Sequence, residues 1–147
     1  MARRSHEQSD FLANLLSQLG LGLRGLWRLF RGQQGRQFNQ QIYRSQWQEI
    51  DRLARNQASE QEWKQAIIEA DKLVDQAFRD VGLAREKFSD RLRAAEKRFT
   101  KSVYNGLWEA HKLRNKIAHE VGCQVTYPEI KHALDNFRAG LNSLGAL

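Results

Sequence analysis

Apolar residues recur along most of this chain at intervals of three and four, the spacing that gathers them on one face of an α-helix. The first such segment, FLANLLSQLGLGLRGLWRLF over residues 11–30, sets Leu12, Leu15, Leu16, Leu19, Leu23, Leu26, Trp27 and Phe30 on one side, with Arg24, Arg28 and Arg31 on the polar side. It predicts a basic amphipathic helix within residues 1–31, weakened by Gly20, Gly22 and Gly25 at about 1 kcal/mol each relative to alanine. The Gly- and Gln-rich stretch RGQQGRQFNQQ follows and reads as a flexible linker over 32–41, with no reason to pack. A short connecting helix over 42–57 then carries Tyr43, Trp47, Ile50 and Leu53 or Ala54 on one side.

From Ser59 the pattern is regular. Ser59 and Glu62 have the spacing of a capping box, in which each side chain satisfies the other residue's amide. They open a helix with Trp63, Ile67, Ala70, Leu73, Val74, Phe78 and Val81 inward, ended by Gly82. A shorter helix carries Phe88, Leu92, Ala95 and Phe99. The next has Val103, Leu107, Ala110, Leu113, Ile117 and Val121 inward, with Gly122 placed as its left-handed terminator. Thr126 and Glu129 form a second capping box, starting a helix with Ile130, Leu134, Phe137, Leu141 and Leu144 inward. Short connections between such helices imply antiparallel neighbours, so residues 59–147 are expected to form a four-helix up-and-down bundle.

Composition agrees with an all-α chain: 147 residues, one proline, and abundant Ala, Leu, Glu, Lys, Arg and Gln. The net charge of +7 is uneven. Residues 1–48 hold seven arginines against Glu7 and Asp10 (+5), and the remainder holds seventeen basic against fifteen acidic residues (+2). The basic character therefore belongs mainly to the N-terminal third and is not a nucleic-acid footprint for the whole chain. The single cysteine, Cys123, excludes an internal disulfide framework. Residues 11–30 are too interrupted by arginine, polar residues and glycine to span a membrane. The expectation is a cytoplasmic protein, with Leu12, Leu16, Leu19, Leu23, Trp27, Phe30, Arg24 and Arg28 as a contact surface. That surface would serve either the inner face of a membrane, arginine meeting anionic head groups, or a protein partner.

The densest chemistry lies in WEAHKLRNKIAHE, residues 108–120. At about 100° per residue, His111, Asn115 and His119 share one stripe beside the apolar seam, whereas Arg114 stands about 140° from His119. For Arg114 and His119 to act together, the arginine must wrap round, the helix must break near Ala118, or a second copy must supply one of them. His111 is either an accessory site residue or a half-buried histidine bonded to a neighbouring helix. A zinc site from His119, Cys123 and His132 is disfavoured by their placement on different elements, and no phosphate-binding loop or nucleophile elbow is present. No metal or cofactor is expected.

The run Arg114-Asn115-Lys116-Ile117-Ala118-His119 resembles the R-x-x-x-x-H motif of the HEPN superfamily, and the capped bundle of residues 59–144 resembles its fold. The phrase LWEAHKLRNKIAHE followed by a capped amphipathic helix is also similar to short bacterial proteins of this type with an amphipathic N-terminal extension. The resemblance implies a homodimeric four-helix bundle and RNA as ligand. It also implies metal-independent RNA cleavage by Arg114, Asn115 and His119 at a dimer interface, with an antitoxin or other protein partner in a toxin or defence setting. In that chemistry imidazole transfers protons and Arg114 presents a planar fork to phosphate oxygens. Asn115 orients the ring or a phosphate, and Lys112 and Lys116 add sequence-independent attraction. The competing expectation is a non-catalytic interaction module, in which His119 caps helix carbonyls and Arg114 pairs with an acid such as Asp71 or Asp75.

Overall fold

The structure, a computed structural model, describes residues 38–55 and 59–147. Residues 38–147 form one compact unit. The amphipathic helix of residues 11–30 and most of the expected linker lie outside the described residues. Every regular element described is helical: α1 (Gln40–Arg55), α2 (Glu60–Asp80), α3 (Phe88–Ala94), a 3-10 turn (Glu96–Arg98), α4 (Lys101–His119) and α5 (Tyr127–Leu144).

Helix α2 is central: α1, α4 and α5 all pack on it, and α4 lies along α5. Its apolar stripe is continuous at helical spacing, with Ala66, Ile67, Ala70, Val74, Ala77 and Phe78 buried. Burying each large apolar side chain contributes about 1.5–3 kcal/mol. Helix α1 adds Tyr43, Trp47 and Ile50 to the same core. Its packing reaches into the stretch read as linker, because Phe38 sits edge-on to Tyr43 at 5.1 Å and the helix starts at Gln40. An aromatic side chain two residues before the helix thus found a surface that composition could not reveal.

Helix ends follow local chemistry, with corrections. Gly82 adopts φ +86° after α2. The Leu83 amide reaches the Phe78 carbonyl and the Gly82 amide reaches Arg79, the paired bonds of a Schellman terminus, which needs a residue free to be left-handed. Ser59 Oγ accepts from the Glu62 amide at 3.2 Å, the first half of the expected box. The reciprocal half is absent among the described residues, where Glu62 Oε2 is buried without a partner. At α5 the Glu129 carboxylate accepts from the amide and hydroxyl of Thr126 at 2.8 and 2.7 Å. The segment expected as one helix over Phe88–Phe99 bends into the 3-10 turn after Ala94.

Val121 was expected inward and is instead fully exposed. Helix α4 stops at His119 because Glu120 turns extended, with φ −94° and ψ 118°, so the helical phase no longer governs Val121. Gly122, at φ +72°, therefore serves not as the helix terminator but as the third residue of a turn closed by the Cys123 amide on the Glu120 carbonyl. No described helix is long and apolar enough to cross a membrane.

Candidate functional site

Helix α4 carries the chemistry on two different faces. Lys112, Asn115, Lys116 and His119 follow the i, i+3, i+4, i+7 rule and so share one side. Lys112, Lys116 and His119 are exposed and Asn115 is half-buried. Arg114 lies on the other side, close to the direction of the buried Leu107 and Ala110, and points toward α2. The helix is unbroken at Ala118, so within one chain neither a helix break nor a wrapped arginine brings Arg114 to His119.

Arg114 is held by an acid. Its Nε stands 3.5 Å from Asp71 Oδ2, within ion-pair distance, although that nitrogen has no partner of hydrogen-bond geometry. Its Nη1 donates to Asn115 Oδ1 at 3.0 Å. Asn115, expected to orient the histidine or a phosphate, thus braces the arginine on its own helix. The side chain keeps 29% exposure.

Asp71 is 5% exposed. Its other oxygen, Oδ1, lies 2.7 Å from His111 Nδ1. His111 is therefore the half-buried histidine bonded to a neighbouring helix, its side chain 12% exposed. Its ring stacks on Phe88 with centroids 4.1 Å apart and planes 9° from parallel, while Trp108 meets it edge-on at 6.5 Å. A carboxylate, an aromatic face and an aromatic edge fix the orientation of this imidazole.

Beside this group lies an ion pair that sequence reasoning missed. Arg91 on α3 is 4% exposed. Its Nε and Nη2 donate to the two oxygens of Asp75 at 2.7 and 2.9 Å, and its Nη1 donates to the Arg85 carbonyl. A buried arginine is tolerated only when its fork is filled. The available signal was its spacing: Phe88, Arg91, Leu92 and Ala95 lie on one side of the helix, so a cation stood in an apolar stripe. His111, Arg114, Asp71, Asp75, Phe88 and Arg91 border one cleft of about 370 Å³, with Lys72, Lys87 and Ser89 at its rim.

The exposed stripe has its own neighbours. The Glu129 carboxylate is held below the ordinary carboxylate range, first by the Thr126 hydroxyl, then by the Thr126 amide, with a smaller pull from the charge of Lys116. His132 lies 3.6 Å from Glu109 on the surface. Cys123 is buried, and among the described residues no three His, Cys, Asp or Glu side chains converge as a metal-binding group. Comparison with protein-family models, with curated proteins and with solved structures gives no match.

Proposed function

We propose that this chain is a HEPN-like RNA-binding protein that works as a homodimer and contacts the phosphate backbone through the exposed face of α4. The observation that carries the reading is the stripe of Lys112, Asn115, Lys116 and His119 on one rigid helix, three of its members exposed. Cations about one helical turn apart match the repeat of phosphates along a strand without reading bases. The likeness in fold rests on the four long helices α1, α2, α4 and α5 taken as an up-and-down bundle, with α1 as its fourth member. The short connections from α1 to α2 and from α4 to α5, and the packing of α1, α4 and α5 on α2, support that arrangement, with α3 and the 3-10 turn inserted in the longer link between α2 and α4. Cleavage by Arg114 with His119 would require a second copy, since the two side chains diverge within one chain.

The test is retention of fluorescent single-stranded RNA by the purified full chain in EDTA, compared with Lys112→Ala/Lys116→Ala/His119→Ala. The reading expects binding by the wild-type chain and at least tenfold weaker binding by the triple variant. Equal binding, or no binding to RNA of any length, would overturn it. A second reading, a non-catalytic interaction module, is favoured by the Arg114–Asp71 pair, which engages the arginine within the fold. In that case residues 11–30 would supply the tether. Vesicle sedimentation with and without residues 1–35 tests it, and unchanged lipid binding after truncation would remove the membrane role.

A further inference from the structure

We propose that the cleft between α2, α3 and α4 is a phosphodiester site in its own right, with His111 rather than His119 as the proton acceptor. Asp71 is its positioning residue and Arg114 its phosphate contact. The inference rests on RNA being the ligand and adds where its chemistry takes place.

The first argument is orientation. An ionised Asp71 accepting from Nδ1 holds the neutral ring in the tautomer whose lone pair is on Nε2. That Nε2 makes no hydrogen bond among the described residues, and the residue lines the cleft with its side chain 12% exposed. Stacking on Phe88 and the edge of Trp108 prevent the ring from turning away. His119, by contrast, is exposed at the last residue of α4 and has no carboxylate hydrogen-bonded to it among the described residues.

The second argument is charge. The groups facing His111 are Asp71, Asp75 and Lys72 from α2, Lys87 and Arg91 from the α3 segment, and Arg114 from its own helix. Asp75 is satisfied by Arg91, and Asp71 by His111 and Arg114. Lys87 has no acid partner among the described residues and stands at the rim, so the cleft favours an anion. Arg114 Nη2 likewise has no hydrogen-bond partner among the described residues, the other two nitrogens of its fork face Asp71 and Asn115, and its side chain keeps 29% exposure. The same buried carboxylate therefore holds two side chains that line a single cleft, His111 with Nε2 and Arg114 with Nη2 free of partners among the described residues.

The step is a transesterification and needs no oxidant or metal from outside. The ribose 2′-oxygen forms a bond to phosphorus while the bond from phosphorus to the 5′-oxygen breaks, leaving a 2′,3′-cyclic phosphate and a 5′-hydroxyl. The 2′-hydroxyl proton moves to His111 Nε2, the departing 5′-oxygen takes a proton from water, and His111 returns its proton to the hydroxide so formed. Arg114 Nη2 donates to a non-bridging oxygen as its charge grows.

The experiment uses the full chain, EDTA, and an end-labelled single-stranded RNA of mixed sequence. Binding is read by anisotropy and cleavage by gel, with the product ends identified. His111→Gln is expected to lower kcat at least 100-fold, the usual contribution of a positioned acid–base group, with RNA affinity within twofold. His119→Gln is expected to act through KM. Asp71→Asn should lower kcat far more than it raises KM, because the imidazole loses the partner that orients it, while Asp71→Glu restores part of the rate. Thermal melts of each variant separate loss of chemistry from loss of fold. RNA bound without cleavage by the wild-type chain, or kcat lost in His119→Gln and kept in His111→Gln, overturns this site and leaves RNA binding standing. Absence of RNA binding overturns both.

Discussion

Removing Asp75 should destabilise the protein far more than removing its partner Arg91. Arg91 is buried, and its only other partner among the described residues is the Arg85 carbonyl, so Asp75→Leu leaves a guanidinium charge uncompensated away from water. Breaking a buried pair from one side costs about 3–5 kcal/mol. The 15% exposure of the Asp75 side chain places this case near 3. The converse change is milder, because after Arg91→Met Asp75 keeps Arg79, an exposed cation 2.5 Å away, and still reaches water. That change should cost about 1–2 kcal/mol. The double variant replaces the pair by apolar side chains and should recover to within about 1 kcal/mol of wild type, giving a coupling well above the scatter of independent sites. Urea denaturation followed by circular dichroism at pH 7 measures all four proteins. Asp75→Leu within about 0.5 kcal/mol of wild type, or costs that simply add, would refute a buried, mutually dependent pair.

Other outcomes follow from particular contacts. A Cβ at Gly140 would come 2.6 Å from Leu107 Cδ2, inside a fully buried contact between α4 and α5. Gly140→Ala should therefore destabilise by about 1–2 kcal/mol despite better helix propensity. A Cβ at Gly106 would meet Asn136 Oδ1 at 2.6 Å and Cγ at 2.8 Å, and the Asn136 Nδ2 is buried, so Gly106→Ala should also destabilise by about 1–2 kcal/mol; an unchanged melting temperature in either variant would contradict these contacts. Glu129 is held below the ordinary carboxylate range by Thr126. Its contribution is present above that range and disappears as pH falls through the lowered value, so melting temperature should fall on acidification through and below the ordinary carboxylate range, and less steeply in Glu129→Gln. Tyr43 is pushed above the ordinary phenol range by burial, then by its hydrogen bond to Asp80 at 2.8 Å. The folded state keeps this proton, so stability should decline above about pH 10, and a Tyr43→Phe variant that declines equally would argue against the cause.

Much of the helical framework was legible because spacing alone assigns a face. Ile67, Val74, Phe78, Leu107, Ile130 and Phe137 are all buried where the three-four pattern put them. Gly82 marked a helix end because a left-handed position favours a residue without Cβ. What periodicity could not show is what stands opposite a face. Nothing in the sequence indicates that Gly106 on α4 and Gly140 on α5 let two helices approach closely, or that Arg91 is buried because Asp75 fills its fork. Val121 was misplaced because the helix ended two residues before it, a matter of Glu120 backbone angles rather than of hydrophobicity.

The site shows the same division. Helical geometry alone separated Arg114 from His119, and Asp71 was a foreseeable partner for the arginine, but His111, read on the stripe with His119, lies three residues from Arg114 and meets the same Asp71. The bond between His111 and that same carboxylate, and the Phe88 ring beneath it, required the packing of three helices. Those contacts turn a motif spread along one helix into two places: an exposed cationic stripe and a cleft around a shared buried acid.

The most direct test of the central claim is the salt dependence of single-stranded RNA binding, measured by anisotropy for the full chain and for Lys112→Ala/Lys116→Ala. Each lysine that neutralises a phosphate adds about 0.7 to the slope of log affinity against log salt. The double variant should therefore bind more weakly at every salt concentration and with a slope shallower by about 1.4. An unchanged slope, or no binding at low salt, would contradict the assignment of α4 as the RNA-contacting face.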